Sequence, residues 1–194
     1  MPIELVLGLG NPGARYESSR HNVGFRVVDQ LRERRCGALW SSRPTCELVV
    51  AFIGGLVALA RPLSFMNRSG KAAVQLLTEL DLDPGSMLVV VDDIDLPLGS
   101  MRLKPSGGPG THNGLRDLVA EVGTGFPRLR VGVWGGGAIG NLADYVLAPF
   151  ALDEQKRAEA AIGRAADAVE SAVSAGLEQA MNEYNRNPDA LRPD

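Results

Sequence analysis

The unbroken apolar run Met87-Leu88-Val89-Val90-Val91 restricts the fold of this chain more than any other segment. A run of this kind fits a strand buried on both faces, and such strands belong to parallel sheets with helices packed on each side. It ends abruptly at Asp92-Asp93. A shorter apolar run, Glu4 to Leu9, ends at Asn11-Pro12-Gly13, where proline presets φ and glycine accepts a positive φ in a tight turn. Leu129 to Val133 is a third strand, followed by the glycine cluster 135–137. Cys46 to Ile53 and Leu56 to Ala60, joined by Gly54-Gly55, read as a hairpin.

Between these strands the apolar residues recur at helical spacing. Val23, Val27, Val28 and Leu31 predict a helix with Asn22 as its N-cap, Gly37 as its stop and arginines on its outer face. Ala72, Ala73, Leu76, Leu77 and Leu80 predict another over Ser69 to Leu80, ended by Asp83-Pro84-Gly85. A third is expected over Asn113 to Val122, and an alanine-rich helical segment from Phe150 to about Tyr184 precedes a frayed tail, 185–194. Ala14 to His21 and the stretch from the second glycine cluster to Phe150 read as loops. The expected fold is α/β: a single domain, 1–194, on a mixed, mostly parallel twisted sheet with helices on both faces.

Composition agrees with that class. At 194 residues, 45% hydrophobic and 22% charged, the chain can bury its own core. Its longest nearly apolar stretch, Leu48 to Ala60, is too short to span a bilayer, so no membrane association is expected. No signal-peptide pattern opens the chain, and Cys36 and Cys46 have no metal-ligand spacing, so a reducing cytoplasm is the expected location. The net charge of −3 argues at first against a nucleic-acid partner. Its distribution reads differently: residues 1–44 and 96–134 each sum to +3, whereas 45–95 and 151–194 each sum to −4. Whether the two basic segments meet is a question for the fold.

In open sheets of this class ligands bind beyond the carboxyl ends of the strands, which selects the loops at Asn11, Ser64 to Asn67, Asp92 and Trp134 onward. Gly8, Gly10 and Gly13 spell a dinucleotide fingerprint, but Pro12 and a polar loop stand where a helix should open, so the turn serves to hold Asn11. His21 and His112 each precede an asparagine near a helix start, and each reads either as a cap or as a site residue. His21 has the better claim to be a base: histidine titrates near about 6.5, and Asp92 at the end of the central strand could orient it. An acidic solvated turn around Asp92, Asp93 and Asp95 is the competing reading. No serine or cysteine sits in a nucleophile's setting, so water is the expected nucleophile. Asn67 and Asn113 could hold it or cap helices. Arg102, Lys104, Arg128 and Arg130 alternate along extended segments beside the glycine-rich loop 106–110, as a phosphate site or a solvated rim.

Several of these loops, taken in order, resemble the bacterial peptidyl-tRNA hydrolase family: Gly8 to Gly13 with Tyr16 and Arg20-His21-Asn22-Val23-Gly24-Phe25, then Pro62 to Gly70, Asp92 to Gly99, Lys104 to Gly114, and Tyr145-Val146-Leu147 before Phe150 in the lid region. The resemblance implies hydrolysis of the ester joining a peptide to the 3′ ribose of tRNA, which recycles tRNA lost from stalled ribosomes. It implies His21 as general base, Asp92 as the group that keeps it basic, and Asn11 as the discriminator of blocked from free aminoacyl-tRNA. Asn67 and Asn113 would hold the peptide end and the water, Tyr16 and Phe65 would line the cleft for the 3′ end, and His112 would take a place in the mobile loop near the substrate. Lys104 and Arg130 match a clamp on the tRNA 5′ phosphate, with Arg102 adding charge. No metal or organic cofactor is implied, and a monomer is expected. Thr111, Pro109 and Trp134-Gly135 depart from the family pattern, in the loop and in the contacts to the tRNA body. A catalytically silent RNA-binding relative is the alternative, but it has no need for a base and its orienter.

Overall fold

In the computed structural model, which describes residues 1–35 and 39–186, the expected central strand is the longest of seven among the described residues. The sheet runs in the order β2 (Ser41–Ser42), β3 (Cys46–Phe52), β4 (Leu56–Pro62), β1 (Leu5–Gly8), β5 (Met87–Pro97), β7 (Arg128–Trp134), β6 (Met101–Lys104). The inner strands β4, β1, β5 and β7 are parallel, and β2, β3 and β6 add antiparallel edges. Helices α1 (Val23–Arg35), α5 (Leu152–Ser174) and α6 (Leu177–Tyr184) cover one face. Helices α2 (Ser69–Leu80) and α3 (Asn113–Val122) cover the other. Strand β5 divides its side chains accordingly: Leu88 and Val90 enter the first core, Met87, Val89 and Val91 the second. This two-sided burial is why Met87 to Val91 lacks polar alternation; the strand does not end at Asp92 as expected but runs on to Pro97, with its last residues alternating in exposure.

The chain leaves β1 for α1 on one face and β4 for α2 on the other, so a crevice opens at the carboxyl ends of β4, β1 and β5. Helix α1 is pressed close against this edge. A Cβ on Gly24 would lie 2.4 Å from the Val90 carbonyl oxygen and 2.5 Å from the Leu9 amide nitrogen, so only glycine permits the approach. Gly13 has φ 102 and is followed by a three-residue 3-10 turn, Ala14–Tyr16, rather than by a phosphate-facing helix.

Several expectations need correction. Asn22 does not cap α1: its side chain accepts from the Asn11 amide at 2.8 Å and donates to the Asn11 carbonyl at 2.9 Å. The segment read as the loop Ala14 to His21 contains that first 3-10 turn and the start of a second, Arg20–Asn22. The stretch before Phe150 folds into a short helix, α4 (Leu142–Leu147), capped by Asn141. The terminal helical segment breaks in two at Gly176, φ 97. Asn185 is not frayed, since its amide brackets Leu103 of β6, accepting from the backbone nitrogen at 2.6 Å and donating to the carbonyl at 3.0 Å. Gly37 and residues 187–194 of the expected tail lie outside the described residues.

Three of the four arginines of α1, Arg26, Arg34 and Arg35, reach acids of α5, the last two from exposed positions on the expected outer face, whereas Arg32 lies over the Trp40 ring. Arg34 pairs with Asp167 at 2.7 Å, Arg26 with Glu159 and Arg35 with Glu170. The basic N-terminal segment is therefore largely spent on the acidic C-terminal one. The two basic segments do not combine into one patch through these residues.

Candidate active site

At the carboxyl ends of the parallel strands, Asn11 follows β1, Met66 and Asn67 follow β4, and Asp92 lies within β5. The 3-10 turn carrying His21 and the loop and helix start at Thr111, His112 and Asn113 complete a cleft of about 420 Å³. Helix α4 forms its far wall through Leu142, Ala143, Val146 and Leu147.

Asp92 is 2% exposed, and its Oδ1 accepts from His21 Nδ1 at 2.7 Å and from His112 Nε2 at 3.0 Å. Burial pushes this carboxyl up, but the charges and hydrogen bonds of the two imidazoles outweigh it and hold it well below the usual carboxylate range. An ionised carboxylate only accepts, so both ring nitrogens facing it carry protons. In neutral His21 the proton is thus on Nδ1, and Nε2 keeps its lone pair. His112 is tied at its second nitrogen too, where Nδ1 accepts from the Leu115 amide at 3.1 Å as the N-cap of α3. Two histidines that look alike in sequence therefore differ sharply: His112 has both ring atoms committed, and His21 has one open.

Among the described residues, His21, Asp92 and His112 also offer donor atoms within 4.8 Å of one another, a span small enough for a metal ion. The tautomers oppose that use. To ligate through Nε2, His112 would have to protonate Nδ1, which would then face the Leu115 N–H and lose the cap. The cluster fits proton placement better than metal ligation.

Asn11 is similarly constrained. Its Oδ1 accepts from the Met66 amide at 2.9 Å, which fixes the side chain's orientation and leaves the Nδ2 hydrogens for whatever enters the cleft. Asn67 and Asn113 are exposed on the same cleft, and Asn113 Oδ1 accepts from Arg116 at 2.8 Å. Asn113 is therefore no helix cap, whereas His112 is one and also a partner of Asp92.

Tyr16 and Phe65 meet edge to face with ring centroids 6.3 Å apart, and the Arg15 guanidinium lies 5.0 Å from the Tyr16 centroid. Contrary to expectation, neither lines the cleft itself: Phe65 stands one residue before the cleft residue Met66, and the pair lies outside the lining. The basic residues are brought together by the β6–β7 pairing, which sets Arg102 opposite Arg130 and Lys104 opposite Arg128. Their surroundings differ. Arg128 is 1% exposed and donates to the carbonyls of Gly107, Gly108, Thr124 and Phe126, so it staples the glycine-rich loop in place. Burial and the neighbouring Arg130 push its guanidinium down to about 10, still charged at neutral pH. Arg130 donates to Asp93 Oδ2 at 3.0 Å and to the Pro109 carbonyl at 2.9 Å. Arg102 and Lys104 are exposed.

Asp93 is therefore no solvated turn residue but a buried partner of Arg130, a pairing across 37 positions that no local pattern announces. Cys46 is buried, and burial first, then Glu79, pushes its thiol up, which removes it as a nucleophile. A larger hollow of about 690 Å³ lies beyond Asn11 and Asn22, bordered by Glu17, Asp29, Glu33, Glu47 and Glu159 and by neither histidine. No helix among the described residues is long and apolar enough to cross a membrane.

Residues 5–191 match the family model described as peptidyl-tRNA hydrolase. A protein named peptidyl-tRNA hydrolase from Chloroflexus aurantiacus is 46% identical over 184 residues, covering 93% of this chain and 98% of that relative. One of the same name from Aquifex aeolicus is 43% identical over 192 residues, 96% of this chain and 98% of that one. The crystal structure of peptidyl-tRNA hydrolase from Acinetobacter baumannii superposes with a TM-score of 0.88 at 37% identity, covering 95% of each chain. With these relatives spanning nearly its whole length and its sheet matching theirs, the chain belongs to the peptidyl-tRNA hydrolase family.

Proposed function

We propose that peptidyl-tRNA hydrolysis by this chain runs on a water molecule activated by His21. The observation that carries the reading is the single open imidazole nitrogen, His21 Nε2, in a cleft where an ionised, buried carboxylate holds the other nitrogen. His21 takes a proton as water attacks the carbonyl carbon of the ester, and Asp92 stabilises the imidazolium that forms. When the bond to the ribose 3′ oxygen breaks, the imidazolium returns the proton to that oxygen. His112 supports Asp92, and the amides of Asn67 and Asn113 hold the peptide end and the water.

Asn11 gives the site its selectivity. With Oδ1 occupied, it offers only N–H donors, which suit the carbonyl of an N-blocked aminoacyl group and repel the ammonium of a free one. The 3′ end stacks along Tyr16 and Phe65, a sequence-tolerant contact. Lys104, Arg102 and Arg130 take phosphates of the acceptor arm. The enzyme works as a single-domain monomer in the cytoplasm, without a cofactor.

A release assay on N-acetyl-aminoacyl-tRNA and on its unblocked counterpart tests this. The wild type is expected to cleave the first and spare the second, and Asn11→Asp to lower kcat/KM for the blocked substrate about 10²-fold while shrinking the preference. A wild type with no hydrolysis would instead support a silent RNA-binding role. Lys104→Ala is expected to reduce the slope of log affinity against log salt by about 0.7–0.9, one full phosphate contact. Arg130→Ala should reduce it less, because Asp93 already shares that charge. Equal slopes in wild type and Lys104→Ala would take Lys104 out of the tRNA site.

A further inference from the structure

The turn Arg20–Asn22 is a 3-10 helix, in which successive side chains point about 120° apart. Its three residues accordingly reach three different places. His21 goes to Asp92 and Asn22 to the backbone of Asn11, whereas Arg20 goes the other way, toward α4. Arg20 is 6% exposed, an unusual depth for a guanidinium. It lies 4.4 Å from the Tyr145 ring centroid and 5.1 Å from that of Phe150. Its Nη1 donates to the Pro149 carbonyl at 2.5 Å and its Nη2 to Glu154 Oε2 at 2.5 Å. The same Glu154 oxygen accepts from the Ala151 amide at 2.7 Å and so opens α5.

The network extends to the end of β7. Tyr145, whose ring carries the guanidinium, donates its hydroxyl hydrogen to the Val133 carbonyl at 3.1 Å and accepts from the Gly135 amide at 2.9 Å. Gly135 is itself in contact with Glu154, since a Cβ there would lie 1.7 Å from Oε1. One buried cation thus joins the turn carrying His21, the helix that walls the cleft, the start of α5 and the end of β7. Nothing in the proposed chemistry uses it.

We infer that Arg20 is a positioning residue for the reaction: it fixes the α4 wall at the distance from His21 that the substrate requires. The inference rests on the cleft being the substrate site. His21 itself is held by Asp92, and Asn22 by Asn11, so loosening Arg20 leaves the base oriented and frees the wall. The effect falls on substrate binding. A lysine keeps the charge but has neither the planar stack nor the two-pronged reach to Pro149 and Glu154.

The test measures kcat and KM for N-acetyl-aminoacyl-tRNA in wild type, Arg20→Lys and Glu154→Gln, with amide hydrogen exchange across the chain. Arg20→Lys is expected to raise KM about tenfold, with kcat within about threefold, an unchanged pH profile, and exchange at least about tenfold faster in residues 142–147 while β5 stays protected. Glu154→Gln is expected to move KM and the same amides in the same direction by about threefold, and it carries the test if Arg20→Lys does not fold. An unchanged KM in the folded variants, a fall in kcat alone with a displaced pH profile, or protection lost equally in β5 would overturn the inference. A wild type without activity would instead strike the assignment of the cleft, so the two failures are told apart in one assay.

Discussion

Replacing His21 by alanine is expected to slow peptide release about 10²–10⁴-fold, the range for removing a positioned general base, with tRNA affinity held within about twofold. The rate loss follows from geometry: His21 is the histidine with a ring nitrogen left open, and His112 cannot substitute because Asp92 and the Leu115 amide occupy both of its own. The affinity is spared because His21 is buried, its side chain 10% exposed, and Arg102 and Lys104, the exposed cations of the proposed phosphate contact, stand elsewhere on β6. Single-turnover release and a separate tRNA-binding titration read the two quantities independently. Turnover near that of the wild type would remove His21 from the chemistry, and a parallel loss of affinity would reduce it to a substrate contact.

What could be foreseen of this molecule follows a physical division. The first half of β5, Met87 to Val91, was legible because a strand segment buried on both faces is apolar at every position, whereas its continuation through Asp92 to Pro97 carries no such run; α2 was legible because its buried stripe repeats at 3.6. His21 with Asp92 was legible because the sheet rule brings strand ends together, whatever the sequence distance. Helix α4 was not, since only Val146 of its six residues is buried and so short an element carries no readable stripe. Asn22 misled because a cap and a tertiary hydrogen bond ask for the same residue type, and only the position of Asn11 decides between them. The arginines behaved alike. Along the chain, Arg20, Arg26, Arg128 and Arg130 are equivalent cations, yet one clasps a helix, one pairs across to α5, one staples a loop of carbonyls and one is shared with Asp93. Charge per segment located the basic stretches but could not say which of their cations remained for phosphate.

Asp92→Asn is expected to lower kcat about 10²–10³-fold, equivalent to about 3–4 kcal/mol of transition-state stabilisation, with little change in KM. The magnitude is set by which carboxylate atom is used. Both histidines donate to Oδ1, so an asparagine whose carbonyl oxygen takes that place can keep both hydrogen bonds and both tautomers. The loss is then of charge rather than of orientation, and it falls on the imidazolium that forms as water is deprotonated. Asparagine offers that cation a dipole where aspartate offers a buried negative charge. In the wild type the imidazoles hold the carboxyl well below the usual range, so it stays ionised across the working pH and adds no ionisation of its own to the acid limb of the pH–rate profile. A profile with two acid ionisations in the wild type, or a kcat in the variant within about threefold of the wild type, would mean that Asp92 acts by holding His21 in place and not by stabilising its charge.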